Sequence, residues 1–346
     1  MKQTNNKNIK ILIILKRKRS VENELSMSTG LYNSAKYIEE MLQSCGMDSK
    51  LVVVNDNNDI DREVTLFKPT KVIIEALWVV PEKFKILTKL HPNVTWIIRS
   101  HSQLPFIANE GNAMKWIGEY VKYTNIVIGV NSPEMLNEIS FYTKEPNKIV
   151  YLPNYYPNVN KIKSYKKNDD KINIACFGAI RPLKNHLTQA ISAIKFAEKI
   201  KKKLHFHING SRIEQKGESI LNNLIELFNK VSNDGHKLIL HEWLDKDDFL
   251  NLCSKMDIGL QCSFSETFNI VGADIISQGV PLIGSAEIPW LDLNSIANPT
   301  KSEEIYKKLL NIHLSSSLNV LRNQQKLNRY TNKSKNIWTN YFNNNM

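Results

Sequence analysis

Short apolar runs recur along this chain, separated by longer stretches whose apolar residues return every three or four positions. In the first half the runs cover residues 9–15, 50–54, 71–76, 94–98, 126–130 and 148–152, and each reads as a strand. Helical stretches fall between them. Over residues 31–45, for example, Leu31, Ala35, Ile38, Met41 and Leu42 share one side. Strand, helix, strand repetition predicts a parallel sheet covered on both faces. The α/β pattern then restarts. Strands are expected at 172–177, 204–208, 237–240, 257–261 and 280–283, with helices at 185–201, 219–231 and 246–254.

Between the two halves, Pro153-Asn154-Tyr155-Tyr156-Pro157 is followed by a polar, lysine-rich stretch, residues 158–171, the expected linker. The predicted organisation is a first Rossmann-like domain over 1–157 and a second over 172–317. A helical tail, 318–346, is rich in Asn and Lys and carries Trp338, Tyr341 and Phe342 near its end.

Composition narrows the class. A length of 346 residues suits two domains, and 42% hydrophobic content is enough for two cores. No apolar run approaches a membrane span. The one nearest the start, residues 11–15, is followed by Lys16-Arg17-Lys18-Arg19, which argues against a secretory signal. Four cysteines lie scattered without metal-ligand spacing, the pattern of reduced thiols in a cytoplasmic protein. The net charge of +12 predicts an anionic partner, whether nucleic acid, an anionic membrane surface or a polyanionic substrate.

The most informative stretch is Ser265-Glu266-Thr267-Phe268-Asn269-Ile270-Val271-Gly272-Ala273-Asp274, continuing through Gly279-Val280-Pro281. Read as a helix, it puts Glu266 at the N-terminus and Asp274 about two turns on along the same face. Two acids beside the N–H groups of a strand-to-helix corner suit a ligand that is both polyhydroxylated and phosphorylated, such as a nucleotide-sugar. A second constellation, Phe177-Gly178-Ala179-Ile180-Arg181-Pro182-Leu183-Lys184-Asn185-His186, leaves a strand and opens a helix. Backbone N–H groups, the helix dipole and two cations favour an anion at that corner.

These two motifs resemble the signature of the retaining two-domain (GT-B) glycosyltransferases of the large "group 1" family. The resemblance spans most of the chain and is strongest over residues 174–285. It implies two Rossmann-like domains with parallel sheets facing across a cleft, and a C-terminal helix crossing back to the first domain. Glu266 then holds hydroxyls of the transferred sugar and Asp274, where the family usually has Glu, the ribose diol. Lys184 and Arg181, the latter displaced from the family's arginine position, face the diphosphate. The resemblance also places Gly30, Gly178, Gly210, Arg212, Phe268 and Asn269 at the donor. His101, in the loop after residues 94–98, orients the sugar or acceptor, with Glu75 and Glu110 as further carboxylates and Trp243 near the base. Lys16, Arg17, Arg19 and Arg99 are assigned to the acceptor, and Ser28 or Thr29 to capping the helix around Gly30. No cofactor or metal is expected, because no His/Cys cluster has metal-ligand spacing and the nucleotide-diphosphate-sugar is the co-substrate.

More narrowly, Thr29-Gly30-Leu31-Tyr32-Asn33-Ser34-Ala35, Asp56-Asn57-Asn58-Asp59-Ile60-Asp61-Arg62-Glu63, Phe177-Gly178-Ala179 and Ser265-Glu266-Thr267-Phe268-Asn269 resemble glycosyltransferase-like proteins of tailed bacteriophages. Phage transferases of this fold include enzymes that glycosylate hydroxymethylated bases in double-stranded DNA, and the +12 charge agrees with such an acceptor. Two alternatives stay open. One is a lipid-linked or cell-surface glycan acceptor, with the basic first domain resting on an anionic membrane. The other is a catalytically silent nucleotide-sugar- or DNA-binding protein on the same fold.

Overall fold

The computed structural model describes residues 9–19, 25–26, 29–161 and 170–344. The chain forms two compact units. One comprises residues 1–157 with 331–346, and the other residues 158–330.

Unit 1 is built on strands β1 (Lys10–Lys16), β4 (Asp48–Val54), β5 (Lys71–Glu75), β6 (Thr95–Ser100), β7 (Ile126–Val130) and β8 (Ile149–Tyr151). They form one sheet in the order β4-β1-β5-β6-β7-β8, with every pairing parallel. A short antiparallel hairpin, β2 (Lys18–Arg19) with β3 (Leu25–Ser26), follows β1. Helices α1 (Thr29–Ser44), α2 (Asp59–Phe67), α3 (Phe84–Leu90), α4 (Leu104–Ile107), α5 (Ala113–Tyr120) and α6 (Pro133–Thr143) supply the crossovers.

The reason for this layering is visible in β1. Leu12 and Ile14 belong to the core on one face, and Ile11 and Ile13 to the core on the other. A strand apolar on both sides must be covered twice, and parallel connections place helices on both faces.

Unit 2 repeats the design with β9 (Lys171–Ala175), β10 (Lys203–Asn209), β11 (Lys237–His241), β12 (Ile258–Gln261) and β13 (Leu282–Gly284). Their order is β11-β10-β9-β12-β13, again all parallel. Its helices are α7 (His186–Lys199), α8 (Glu218–Lys230), α9 (Lys246–Ser254), α10 (Ile270–Ser277) and α11 (Ser302–Leu314).

The last helix, α12 (Ser316–Asn344), begins in unit 2 and ends in unit 1. Its asparagines have work that composition does not reveal. Asn319 accepts from the Leu282 N–H at 2.9 Å, Asn323 from the Asp292 N–H at 2.9 Å, and Asn328 from the Val159 N–H at 2.9 Å. Each spares a loop N–H the cost of burial without a partner. Further on, Trp338 and Phe342 are fully buried in the unit 1 core with Ile11, Ile13 and Ile97. The indole Nε1 of Trp338 donates to the Pro153 carbonyl at 2.7 Å. The terminal helix therefore returns to the first unit.

Of the stretch read as a linker, residues 162–169 lie outside the described residues. Val159, just before them, is buried with both backbone polar groups bonded to Asn328.

Candidate functional site

In unit 2, polar side chains gather on the loops that leave the carboxyl ends of β9, β10 and β12. The loop after β9 turns at Gly178, whose φ of +118° is closed to side-chain-bearing residues. Its N–H donates to Asn209 Oδ1 at 2.8 Å, which ties the loop to the end of β10. A 3₁₀ turn, Pro182–Lys184, leads to Asn185 at φ +56°. The Asn185 amide donates to the carbonyls of Cys262 at 3.0 Å and Pro299 at 2.7 Å, and Gln189 donates to the Lys184 carbonyl at 2.8 Å. Lys184 thus springs from a backbone held on two sides.

Its ammonium meets Oε1 of Glu266 at 2.5 Å, with the two side chains only 11% and 8% exposed. A charge this buried needs a partner, since desolvating an isolated ion costs several kcal/mol. Each supplies the other's. The backbone reinforces the arrangement, because the Phe264 N–H donates to the Leu183 carbonyl at 2.8 Å.

Glu266 is not where a continuous helix would put it. α10 begins at Ile270, so Glu266 sits in the loop and does not share a helical face with Asp274. The cause is Asn269, which takes φ +62° as the N-cap and accepts from the Gly272 N–H at 2.6 Å. Its amide also donates to Gln261 Oε1 at 2.9 Å. Both ends of the Asn269 side chain are therefore engaged by protein, and its assignment to the donor is corrected to a capping role. Phe268 is corrected likewise. It is 2% exposed, packed near Trp290 and Tyr330, and its carbonyl accepts from the Trp290 indole at 2.7 Å.

Asp274 is buried in α10 and paired with Lys246, the first residue of α9. Sequence reading missed Lys246, which lies 28 positions from its partner and carries no local signature. Also missed was Glu214. It takes both NH2 of Arg212, at 2.7 Å, and NH1 of Arg181, at 3.5 Å. The Arg212 guanidinium lies 4.4 Å from the centre of the Trp243 ring, a cation–π contact. Gly210 is explained by packing: a Cβ there would come within 2.9 Å of Leu240 Cβ. His186, at the start of α7, is 1% exposed, and neither ring nitrogen has a hydrogen-bond partner among the described residues. Burial, then the charges of Lys184 and Arg181, push its pKa down to about 3, so the ring is neutral.

In unit 1 a second polar group closes β5 and β6. Glu75 and Arg99 face each other in register and are both fully buried. Arg99 NH1 donates to the two Glu75 oxygens at 3.1 and 3.2 Å, NH2 to Asn154 Oδ1 at 2.6 Å, and Nε to the Leu152 carbonyl at 3.4 Å. Trp338 lies 5.2 Å from the guanidinium. Arg99 is thus an interior cation with its donors engaged, which corrects its assignment to the acceptor. His101 completes the group through a hydrogen bond from Nε2 to the Glu75 carboxylate.

The other unit 1 candidates are dispersed. Gly30 lies in the first turn of α1, not in a loop, and Ser28 is outside the described residues. Lys16 is exposed, its ammonium 5.6 Å from the Trp78 ring. The Arg17 N–H donates to the Val54 carbonyl at 2.8 Å. Arg19 contributes backbone to β2, and its side chain is outside the described residues. Glu110 is exposed before α5. Among the described residues no helix is long and apolar enough to cross a membrane, and no three His, Cys, Asp or Glu are grouped to hold a metal ion.

The architecture is that of the GT-B fold. Sucrose-phosphate synthase of Thermosynechococcus elongatus superposes with a TM-score of 0.68 at 11% identity, over 96% of this chain and 98% of that one. HepE of Anabaena, solved in complex with UDP and glucose, gives 0.65 at 10% identity over 97% and 99%. A glycosyltransferase of Rickettsia africae gives 0.58 at 13% identity over 96% and 100%. No family model matches the chain, and no curated protein matches it either. At these identities the likeness is one of fold.

Proposed function

We propose that this protein is a retaining glycosyltransferase that moves a sugar from a nucleotide-diphosphate-sugar to a hydroxyl acceptor. The observation that carries the reading is the buried Lys184–Glu266 pair. It sits at the carboxyl ends of parallel strands, where α/β sheets bind their ligands. Its fold is shared with a protein solved with UDP and glucose and with a sucrose-phosphate synthase.

The chemistry follows from what each group offers. Cleavage of the sugar–phosphate bond builds negative charge on the departing diphosphate, and a fixed cation aimed at that charge is a large catalytic term. Lys184 supplies the cation, with Arg181 beside the same loop. Glu266 accepts from sugar hydroxyls and Asp274 from the ribose diol, each exchanging part of its ion pair for the ligand. Retention proceeds with the acceptor hydroxyl attacking from the face the diphosphate leaves, and the phosphate takes the proton. As acceptor we propose a hydroxymethylated base of duplex DNA, extruded from its stack. The charge of +12 and the exposed Lys16 support it.

Nucleoside-diphosphate release from a panel of nucleotide-sugars, with and without hydroxymethylated duplex, tests both levels. Release stimulated by the modified DNA is the expected result. Release indifferent to DNA overturns the acceptor and turns the search to glycans. Absence of release and of thermal stabilisation with every donor overturns the enzyme reading in favour of a silent binding protein.

A further inference from the structure

The terminal helix α12 buries one side and leaves strong charge on the other. Val320, Leu327, Thr331, Ser334 and Trp338 are buried, at helical spacing. On the opposite side Arg322, Lys326, Arg329 and Lys333 are all exposed. At 3.6 residues per turn these positions fall within about 60° of arc and about 17 Å of helix length. They form one straight stripe.

No charge on the helix answers the stripe. α12 carries one further cation, Lys335, and no carboxylate. Among the described residues none of the stripe's side chains takes part in an ion pair or a hydrogen bond. Other helices pair their cations. Lys36 meets Glu39 at 2.6 Å on α1, Lys122 meets Glu119 at 2.6 Å at the end of α5, and Glu303 of α11 lies 3.9 Å from both Lys195 and Lys307. The stripe instead sets like charges four apart, Arg322 with Lys326 and Arg329 with Lys333, and three apart, Lys326 with Arg329. That spacing weakens a helix. A local rule broken on an otherwise well-packed element marks a functional surface.

The neighbouring residues indicate which anion fits. Gln325, Asn332 and Asn336 are exposed beside the cations, and each has an amide that can donate to a phosphate oxygen. A helix that lies on a membrane turns its large apolar side chains into the lipid. Here Leu327, Trp338 and Phe342 are buried in protein, and the exposed Leu318 and Leu321 end before the stripe begins. Single strands are held largely by stacking on aromatic rings, and the stripe has none. A duplex presents a rigid line of phosphates, about one charge per 1.7 Å of axis, so a straight run of cations meets several at once.

We propose that the outer face of α12, through Arg322, Lys326, Arg329 and Lys333, is a docking surface for the phosphate backbone of duplex DNA. The contact reads no sequence and supplies salt-dependent affinity. This rests on the proposed acceptor for the docked duplex being a substrate, but not for the docking itself.

Two fourfold variants of the full chain separate the stripe from net charge. Arg322→Gln/Lys326→Gln/Arg329→Gln/Lys333→Gln removes the stripe with a residue that favours helix. Lys199→Gln/Lys230→Gln/Lys237→Gln/Lys255→Gln removes the same charge from exposed positions elsewhere in unit 2. Fluorescence anisotropy with an unmodified duplex is read across a range of salt. The stripe variant is expected to lose about a hundredfold in affinity at about 0.05 M salt, with the slope of log affinity against log salt smaller by about three to four. The control variant should stay within about one of the wild-type slope. The stripe variant should melt no lower than the wild type, because its like-charge pairs are gone.

Equal losses in the two variants reduce the effect to net charge and overturn the proposal, as does a wild type that does not bind the duplex. Lost binding to phosphatidylserine vesicles with duplex binding unchanged replaces the DNA with a membrane and overturns it too. If the stripe variant does not fold, Arg322→Gln and Lys333→Gln singly must each shrink the slope by about one. UDP release from UDP-glucose is followed with and without hydroxymethylated duplex. Stripe-dependent binding without stimulated release keeps the docking surface and overturns the acceptor reading alone.

Discussion

Two buried cations, Arg99 in unit 1 and Lys184 in unit 2, each face a glutamate, one at the end of a neighbouring strand and one in the loop after it, yet they differ in kind. Arg99 is wholly enclosed, bonded to a carboxylate, an amide and a carbonyl, and lies near the Trp338 ring. Among the described residues the Lys184 ammonium has one partner, Glu266, and both side chains keep a sliver of exposure. A guanidinium with its donors taken by protein serves the fold. An ammonium, with three donors on a flexible stem, can exchange one carboxylate contact for a phosphate oxygen at little cost. Burial alone therefore does not separate structural from ligand-facing charge. On the proposed function, the number of protein partners does.

The sharpest way to break this comparison is Arg99→Ala. It strands Glu75 in the interior with only His101 beside it. Removing one member of a buried pair costs about 3–5 kcal/mol, so denaturant titration should show a loss of that size. The Glu75 pKa adds a sign. Burial raises it, but Arg99 and His101 outweigh burial and the net shift is downward. The pair's stabilisation is then present above the ordinary carboxylate range and is lost as pH falls through the lowered value. An Arg99→Ala protein as stable as the wild type would show that the enclosure is incidental.

Glu266→Gln is the counterpart in unit 2. The amide can still accept from Lys184 but no longer neutralises it, so the loop should stay folded at a cost of about 1–3 kcal/mol, less than for Arg99→Ala. Turnover should fall by about 10²–10³, the usual effect of removing one preorganised polar contact at the reacting centre. Equal losses of stability and activity would place Glu266 with Arg99 as a structural charge.

His186 is intermediate between the two classes, buried like Arg99 but next to Lys184. Its neutral ring has a pKa near 3, below the unfolded value of about 6.5. The sign follows. The unfolded chain binds a proton that the folded ring refuses, so this residue's contribution is intact above about 6.5 and is lost as pH falls toward about 3. His186→Leu should flatten the stability profile over that window by up to about 1.4 kcal/mol per pH unit. At neutral pH it should be neutral or stabilising, because two ring nitrogens without a partner among the described residues are gone. A slope unchanged by the substitution would mean that the ring is not the titrating group.

The same contrast explains what could be read from the chain. The strand–helix alternation was legible because β1, β5 and β6 are apolar on both faces and their runs are bounded by polar residues. The motif spacing located the loops bearing Lys184 and Glu266. What failed was local geometry. Ser265 to Asp274 reads as a helix, but Asn269 caps it from a left-handed conformation and Trp290 holds the Phe268 carbonyl, so the helix starts only at Ile270. The asparagine was a readable capping signal, whereas the tryptophan, 22 residues on, was not. Partners set by tertiary structure were invisible for the same reason. The pairing of Glu75 with Arg99 depends on β5 lying next to β6, that of Lys246 with Asp274 on α9 lying against α10, and that of Glu214 with Arg181 on loops from different strands.

Lys16 gives the gentlest test of the rule. It is exposed, and its ammonium lies 5.6 Å from the Trp78 ring, so Lys16→Ala should change stability by less than about 0.5 kcal/mol. If duplex DNA is the acceptor and this ammonium meets a phosphate, affinity should weaken similarly for every sequence, and the slope of log affinity against log salt should shrink by about one. A stability loss without a change in slope would make Lys16 another charge that serves the fold. A change in slope without a stability loss would extend the distinction from the buried pairs to the surface, where a cation with few protein partners is the one that is available to a ligand.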